Sequence, residues 1–167
     1  MQIRTEYIAA TCIQTKIDMI ADYGDRVYRY SVDADWEKEG ELSLVLTEPS
    51  LLKGVTARVA AGESQLMFDG IQLETGSIAA DGLSPLDSFP VCLRYIREGY
   101  IETCNKESLG ARETLRIFCK DPQKAVGEGR EGILWFDAET HALLRGEILN
   151  HGDTVIQCEF LDFTIEK

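Results

Sequence analysis

Val27-Tyr28-Arg29-Tyr30-Ser31-Val32-Asp33-Ala34-Asp35-Trp36 sets Tyr28, Tyr30, Val32, Ala34 and Trp36 on one side and Arg29, Asp33 and Asp35 on the other. Successive side chains of a strand point to opposite faces of its sheet, so this period of two specifies a β-strand with one buried and one wet face. Glu41 to Thr47 repeats the pattern, with Leu42, Leu44 and Leu46 together. The link Glu37-Lys38-Glu39-Gly40 is polar and of hairpin length, which predicts an antiparallel pair.

Working outward, the same pattern recurs. Thr47-Glu48-Pro49 closes a strand, because proline cannot donate to a ladder. Gly54 to Ala60, Gln65 to Phe68 and a short run through Ile71 and Leu73 follow, separated by Gly62-Glu63 and Asp69-Gly70 turns. Later strands are expected at Tyr100 to Glu107, Glu113 to Lys120, Gly132 to Phe136, Leu143 to Leu149 and Thr154 to Ile165, joined by short turns. Such joints imply a meander of neighbouring antiparallel strands. Tyr7 to Ala21 reads either as one long strand or as a helix, and its β-branched content favours the strand. Leu83 to Gly99 breaks the period: Ser84 is a plausible N-cap with Pro85 at the first helical position, Pro90 is expected to split the segment, and Phe89, Leu93 and Ile96, with Cys92 and Tyr95, make an apolar helical stripe ended by Gly99.

The 167 residues suit one domain, 1–167, and 44% hydrophobic with 28% charged residues describes an ordinary globular chain. A net charge of -12, with no local Lys/Arg cluster, argues against nucleic acid and against anionic membranes; it serves solubility or a basic protein partner. No apolar run reaches the ~18–20 residues of a membrane span. Met1 to Glu6 does not read as a secretory leader, which leaves a cytoplasmic protein or one trimmed of its leader. Cys12, Cys92, Cys104, Cys119 and Cys158 form no C-x-x-C pair and read as apolar strand filler, with one disulfide left open.

Catalytic chemistry is sparse. His141 and His151 fall at hairpin tips and are expected to be solvent-exposed, with no nucleophile placed beside either. Asp33 and Asp35 share a strand face and read as the wet side of an edge strand rather than a carboxylate pair. Gly127-Glu128-Gly129-Arg130-Glu131-Gly132 matches neither phosphate-loop pattern. No metal or cofactor is expected. A sheet of about ten strands is too broad for one helix to cover, since a helix is about 10 Å wide and strands lie about 4.8 Å apart. The sheet must therefore curl into a half-barrel with the helix at its mouth, enclosing either a ligand cavity or a filled core.

The succession of pieces resembles the LolA-like and LolB-like lipoprotein-carrier domains. The similar stretches are Tyr7 to Ala21, Leu44-Val45-Leu46-Thr47-Glu48-Pro49, Leu66-Met67-Phe68-Asp69-Gly70, the central helix, Leu134-Trp135-Phe136-Asp137-Ala138-Glu139-Thr140 running on to Leu143–Ile148, and Val155–Phe163. The resemblance implies a strongly curved open antiparallel sheet with a helix as lid, located outside the cytoplasm and anchored through an N-terminal lipid in the precursor. It implies a non-enzymatic domain holding an apolar ligand such as lipoprotein acyl chains. The groove is expected from Tyr28, Tyr30, Leu44, Leu46, Phe68, Leu93, Ile96, Leu115 and Ile117. The alternative is a protein-interaction module that docks a cell-wall amidase or other envelope enzyme, as relatives in spore-forming bacteria do. An open sheet also makes a homodimer through an edge strand plausible. The family's N-terminal helix reads as absent or truncated, and Arg94 and Arg97 are the candidates for a release-controlling arginine.

Overall fold

The structure, a computed structural model, describes residues 2–60, 63–68, 71–74 and 84–167, with the backbone alone over 60, 63–68 and 71–74. Helix α1 (Gln2–Ala9) leads into β1 (Cys12–Asp22), β2 (Val27–Glu37) and β3 (Leu42–Glu48). A 3-10 turn (Ser50–Leu52) precedes β4 (Thr56–Ala60), β5 (Glu63–Phe68) and β6 (Ile71–Glu74). A second 3-10 turn (Pro85–Asp87) feeds α2 (Ser88–Glu98). Then come β7 (Tyr100–Leu109), β8 (Arg112–Lys120), β9 (Arg130–Asp137), β10 (Leu143–Asn150) and β11 (Asp153–Glu166).

The strands form one 11-stranded antiparallel sheet in the order β6-β5-β4-β3-β2-β1-β11-β10-β9-β8-β7. Every neighbour is also a neighbour in sequence except β1 and β11, which pair from Cys12↔Glu166 to Ala21↔Ile156 with a shift between Gln14 and Lys16. The sheet is a meander left open between β6 and β7, the two strands that α2 separates in the chain.

Helix α2 covers the inner face of both halves. The Phe89 ring lies 5.8 Å from Phe160 of β11, Ser88 Oγ sits 3.2 Å from Met19 Sδ of β1, and the Arg97 guanidinium stacks 4.1 Å over Trp36 of β2. Glycines let it approach β9 and β10: a Cβ on Gly132 would fall 2.5 Å from the Tyr95 ring, and one on Gly146 2.8 Å from Cys92 Sγ. Phe89, Cys92, Leu93 and Ile96 are all buried in one core cluster with Ile13, Ile17, Leu44, Leu134 and Phe136. Burying each large apolar side chain of that set contributes about 1.5–3 kcal/mol, so α2 belongs to the core.

Two expectations change here. Tyr7 to Ala21 is not all strand: Ile3 and Tyr7, four apart, are buried on one face of α1, and the strand begins only at Cys12. The N-terminal helix is therefore present in short form. Arg4 of α1 donates from Nε to Ile96 O at 2.9 Å and from Nη2 to Gly99 O, satisfying carbonyls that the end of α2 leaves unpaired. The break before α2 falls at Asp87 rather than Pro90, which sits in the helix's first turn, where its missing N–H leaves no bond unmade. Ser84 precedes Pro85 as expected but makes no side-chain cap.

Candidate functional site: an apolar cavity at the distal end

The antiparallel meander places the β1–β2, β3–β4, β8–β9 and β10–β11 connections at one end of the strand ladder. Helix α1 lies at the other, where Tyr7 Oη donates to His141 O and Lys38 Nζ to Ile8 O. We call the first the distal end.

Of the expected groove residues, Leu44, Leu46, Leu93, Ile96 and Ile117 are buried in the core cluster, and Tyr28, Tyr30 and Leu115 pack half-buried against it. Phe68 has its side chain outside the described residues. The structure brings these eight into one cluster that fills the space beneath α2. Space remains at the distal end, in a cavity of about 240 Å³ lined by Tyr30, Leu46, Leu52, Val55, Ser84, Pro85 and Leu86. Of the expected residues whose side chains are described, Tyr30 and Leu46 line it.

Local chemistry builds this cavity. After Pro49 the chain makes one 3-10 turn and folds back on β3: Gly54 N donates to Leu46 O, and Leu46 N to Val55 O, both at 2.9 Å. Gly54 has φ +88, a left-handed conformation that side chains disfavour. The return brings Leu52 and Val55 beside Leu46, and Pro85 and Leu86 supply the facing wall. Sequence periodicity could not find Leu52, because it lies in a loop. The signal available was an adjacent Leu51-Leu52 pair stranded between Pro49 and Gly54.

Beside the cavity wall, Asp87 is buried and its Oδ2 has no hydrogen-bond partner among the described residues. Burial pushes its carboxyl up to about 7. Along the β1–β2 hairpin, Tyr28 stacks on Tyr30 at 6.2 Å and meets Tyr23 edge-on at 6.0 Å. Burial, then the Tyr30 and Tyr28 hydroxyls, then Asp87 raise the Tyr23 phenol.

Other candidates are used structurally. His141, at φ 60 in the β9–β10 turn, is not exposed: its Nδ1 lies 3.1 Å from Glu6 Oε2, half-buried against α1. Burial pushes Glu6 up, but bonding to His141 and Gln2 and the nearby charges of His141 and Lys167 outweigh it, and Glu6 titrates below its ordinary value. His151 is exposed, as expected. Asp33 and Asp35 are exposed on β2, which is an interior strand and not an edge; Asp35 Oδ2 accepts from Gln14 Nε2 at 3.1 Å. In the Gly-rich loop the Gly127 amide donates to the buried Glu131 carboxylate at 2.6 Å, so that amide is already engaged. Arg97 is committed to the core, donating to Tyr7 O, and Arg94 is exposed.

All five cysteines are free thiols. Cys92, Cys119 and Cys158 are buried, and burial pushes Cys119 up to about 11 and Cys158 to about 12. Among the described residues no group of three or more His, Cys, Asp or Glu is placed to hold a metal ion, and no helix is long and apolar enough to cross a membrane.

No protein-family model matches the sequence, and no curated protein matches it. Solved structures do match. An uncharacterised conserved protein from Thermus thermophilus superposes with a TM-score of 0.57 at 10% identity, over 99% of this chain and 86% of that one. A Vibrio parahaemolyticus domain assigned to outer membrane lipoprotein sorting superposes with a TM-score of 0.54 at 10% identity, over 99% and 92%. This chain shares the fold of that domain. Lipoprotein LppX of Mycobacterium tuberculosis shares it, with a TM-score of 0.55 at 16% identity over 97% and 91% of the two chains. The half-barrel with an inner helix expected from the resemblance to lipoprotein carriers is therefore the fold observed.

Proposed function

We propose that this lipoprotein-sorting fold serves as a non-enzymatic binding domain, located outside the cytoplasm, for an apolar ligand such as an acyl chain of a lipoprotein. The carrying observation is the distal cavity, whose described walls are apolar apart from Ser84 and the Tyr30 hydroxyl. At about 240 Å³ it lies just under the ~300–1,000 Å³ of drug-sized ligand pockets. In this conformation it suits part of one chain. The assignment of the Vibrio domain to lipoprotein sorting supports the choice of ligand, and anchoring of the precursor through an N-terminal lipid belongs to the same reading.

One observation favours the second reading, a module that docks a basic protein such as an envelope enzyme. A groove of about 640 Å³ on the outer face is lined by Asp33, Asp35, Glu37, Glu41 and Asp162, against Lys16 and Arg58. Native mass spectrometry after incubation with a diacylated lipopeptide separates the two. The acyl-binding reading expects a stoichiometric adduct that survives high salt and is lost in Val55→Trp, whose larger ring occupies the cavity. A bare protein mass under all conditions removes that reading and leaves the acidic groove as the better candidate.

A further inference from the structure

The sequence has no run of basic residues, yet the fold gathers cations at one place on a chain of net charge -12. A cavity of about 520 Å³ beside the β8–β9 loop is lined by Lys120, Lys124, Arg130 and His151, with Tyr95 of α2 and Asp121. Among the described residues Asp121 is its one acidic wall. The outer-face groove has the opposite make-up, with five carboxylates against Lys16 and Arg58.

The loop itself assembles this cavity. Lys120 ends β8 with its side chain only 9% exposed, and its ammonium donates to Lys124 O at 2.6 Å and to Asp121 O at 3.3 Å. Glu102, 3.7 Å away, offsets part of that charge, so Lys120 shapes the loop and adds field rather than a direct contact. Lys124 lies back across the loop: a Cβ on Gly129 would fall 2.9 Å from its Nζ, and glycine leaves that space open. The His151 amide donates to Gly129 O at 2.7 Å, which ties the β10–β11 turn to the loop and brings the imidazole to the same cavity. Burial pushes the Tyr95 phenol up to about 12, against the pull of the Arg94 and Arg130 charges, so its hydroxyl remains a donor. Two carboxylates of the loop region are already engaged by its amides, Glu128 by Ala125 and Glu131 by Gly127.

We infer that this cavity binds a phosphate group that still carries a proton. Lysine, arginine and imidazole donors around one space suit a tetrahedral anion with several oxygens; a single arginine fork already satisfies a carboxylate. Asp121 sets the selectivity. Its carboxylate repels a fully ionised oxyanion such as sulfate but accepts a hydrogen bond from a phosphate hydroxyl, which inorganic phosphate keeps at neutral pH. The cavity shares no lining residue with the apolar one, and the inference does not rest on the acyl-chain reading. The same chemistry is offered by free phosphate and by a phosphate headgroup on a lipid.

The test titrates inorganic phosphate into the isotope-labelled whole chain at pH 7 and follows the amide NMR shifts. Saturable shifts are expected at Lys124, Gly129, Arg130 and His151, with sulfate at least about tenfold weaker and chloride at equal ionic strength giving no saturation. Lys124→Gln is expected to weaken phosphate about tenfold, and Asp121→Asn to abolish the preference over sulfate. Lys16→Gln with Arg58→Gln, which changes the cations of the outer-face groove, is expected to leave binding unchanged. Should Lys124→Gln lose the native spectrum, His151→Asn takes its place, since asparagine tolerates the left-handed turn at φ 53. Absence of saturable shifts, sulfate binding equal to phosphate, or an equal loss in the Lys16/Arg58 pair overturns the inference. Sedimentation with phosphatidylcholine vesicles containing phosphatidic acid, lost in Lys124→Gln, assigns the phosphate to a lipid headgroup. Phosphate binding without sedimentation assigns it to solution, and either result upholds the site.

Discussion

Asp87→Asn replaces a buried carboxylate whose Oδ2 has no partner among the described residues with a neutral side chain of the same shape. In the folded protein Asp87 titrates at about 7 against an ordinary 3.8, and burial is the cause. Between those values the folded state holds a proton that the unfolded chain has lost. Stability is therefore fully present below pH 4 and falls as pH rises toward 7. At 1.36 kcal/mol per unit the loss reaches about 4 kcal/mol, less up to ~1 kcal/mol because the start of α2 favours a negative charge. Urea unfolding of both proteins at several pH values isolates this contribution, since other titrating groups cancel in the difference. Asp87→Asn is expected to gain on the wild type by about 3 kcal/mol between pH 4 and pH 7.5. A constant difference across that range refutes the reasoning and means that Asp87 is ionised and solvated.

Gly132→Ala places a Cβ 2.5 Å from the Tyr95 ring, and overpacking of that kind costs about 1–3 kcal/mol. The loss is expected as a lower urea midpoint with unchanged slope, and no loss means that α2 shifts freely on β9. Thiol labelling of the native protein is expected to modify Cys104 quickly and Cys12 more slowly, while Cys92, Cys119 and Cys158 react only after unfolding. Rapid labelling of any of those three in native buffer contradicts their burial beneath α2.

The strands were legible because one face is wet. Tyr28 to Trp36 and Leu42 to Leu46 alternate in the sequence, and they alternate in burial. Where both faces are covered the period vanishes: Glu131 to Phe136 of β9 is buried throughout, because Ile133 and Trp135 form a second small cluster with Leu149 on the outer face. Trp135 donates there to Glu107 and lies between the Arg116 and Arg145 guanidiniums, at 5.5 and 5.4 Å. Composition does not announce such a cluster. Helix α1 was missed because its two core residues, Ile3 and Tyr7, are too few to set a period and its neighbours are β-branched. Eight of the nine expected groove positions pack in or against the core cluster, and the side chain of the ninth, Phe68, lies outside the described residues. Whether such residues line a space or fill it depends on how closely the helix approaches, which here rests on Gly132 and Gly146.

The pairing of β1 with β11 has a consequence for how the domain is made. A ribosome or a translocation pore delivers β1 first and β11 last, yet these two strands form the seam at the middle of the sheet. Until β11 arrives, β1–β6 and β7–β10 are two separate meanders, each with an unpaired strand where the seam will be. The domain closes from its centre, in a single late event, and a chain shortened by β11 alone is left as two half-sheets joined through α2 and its flanking segments.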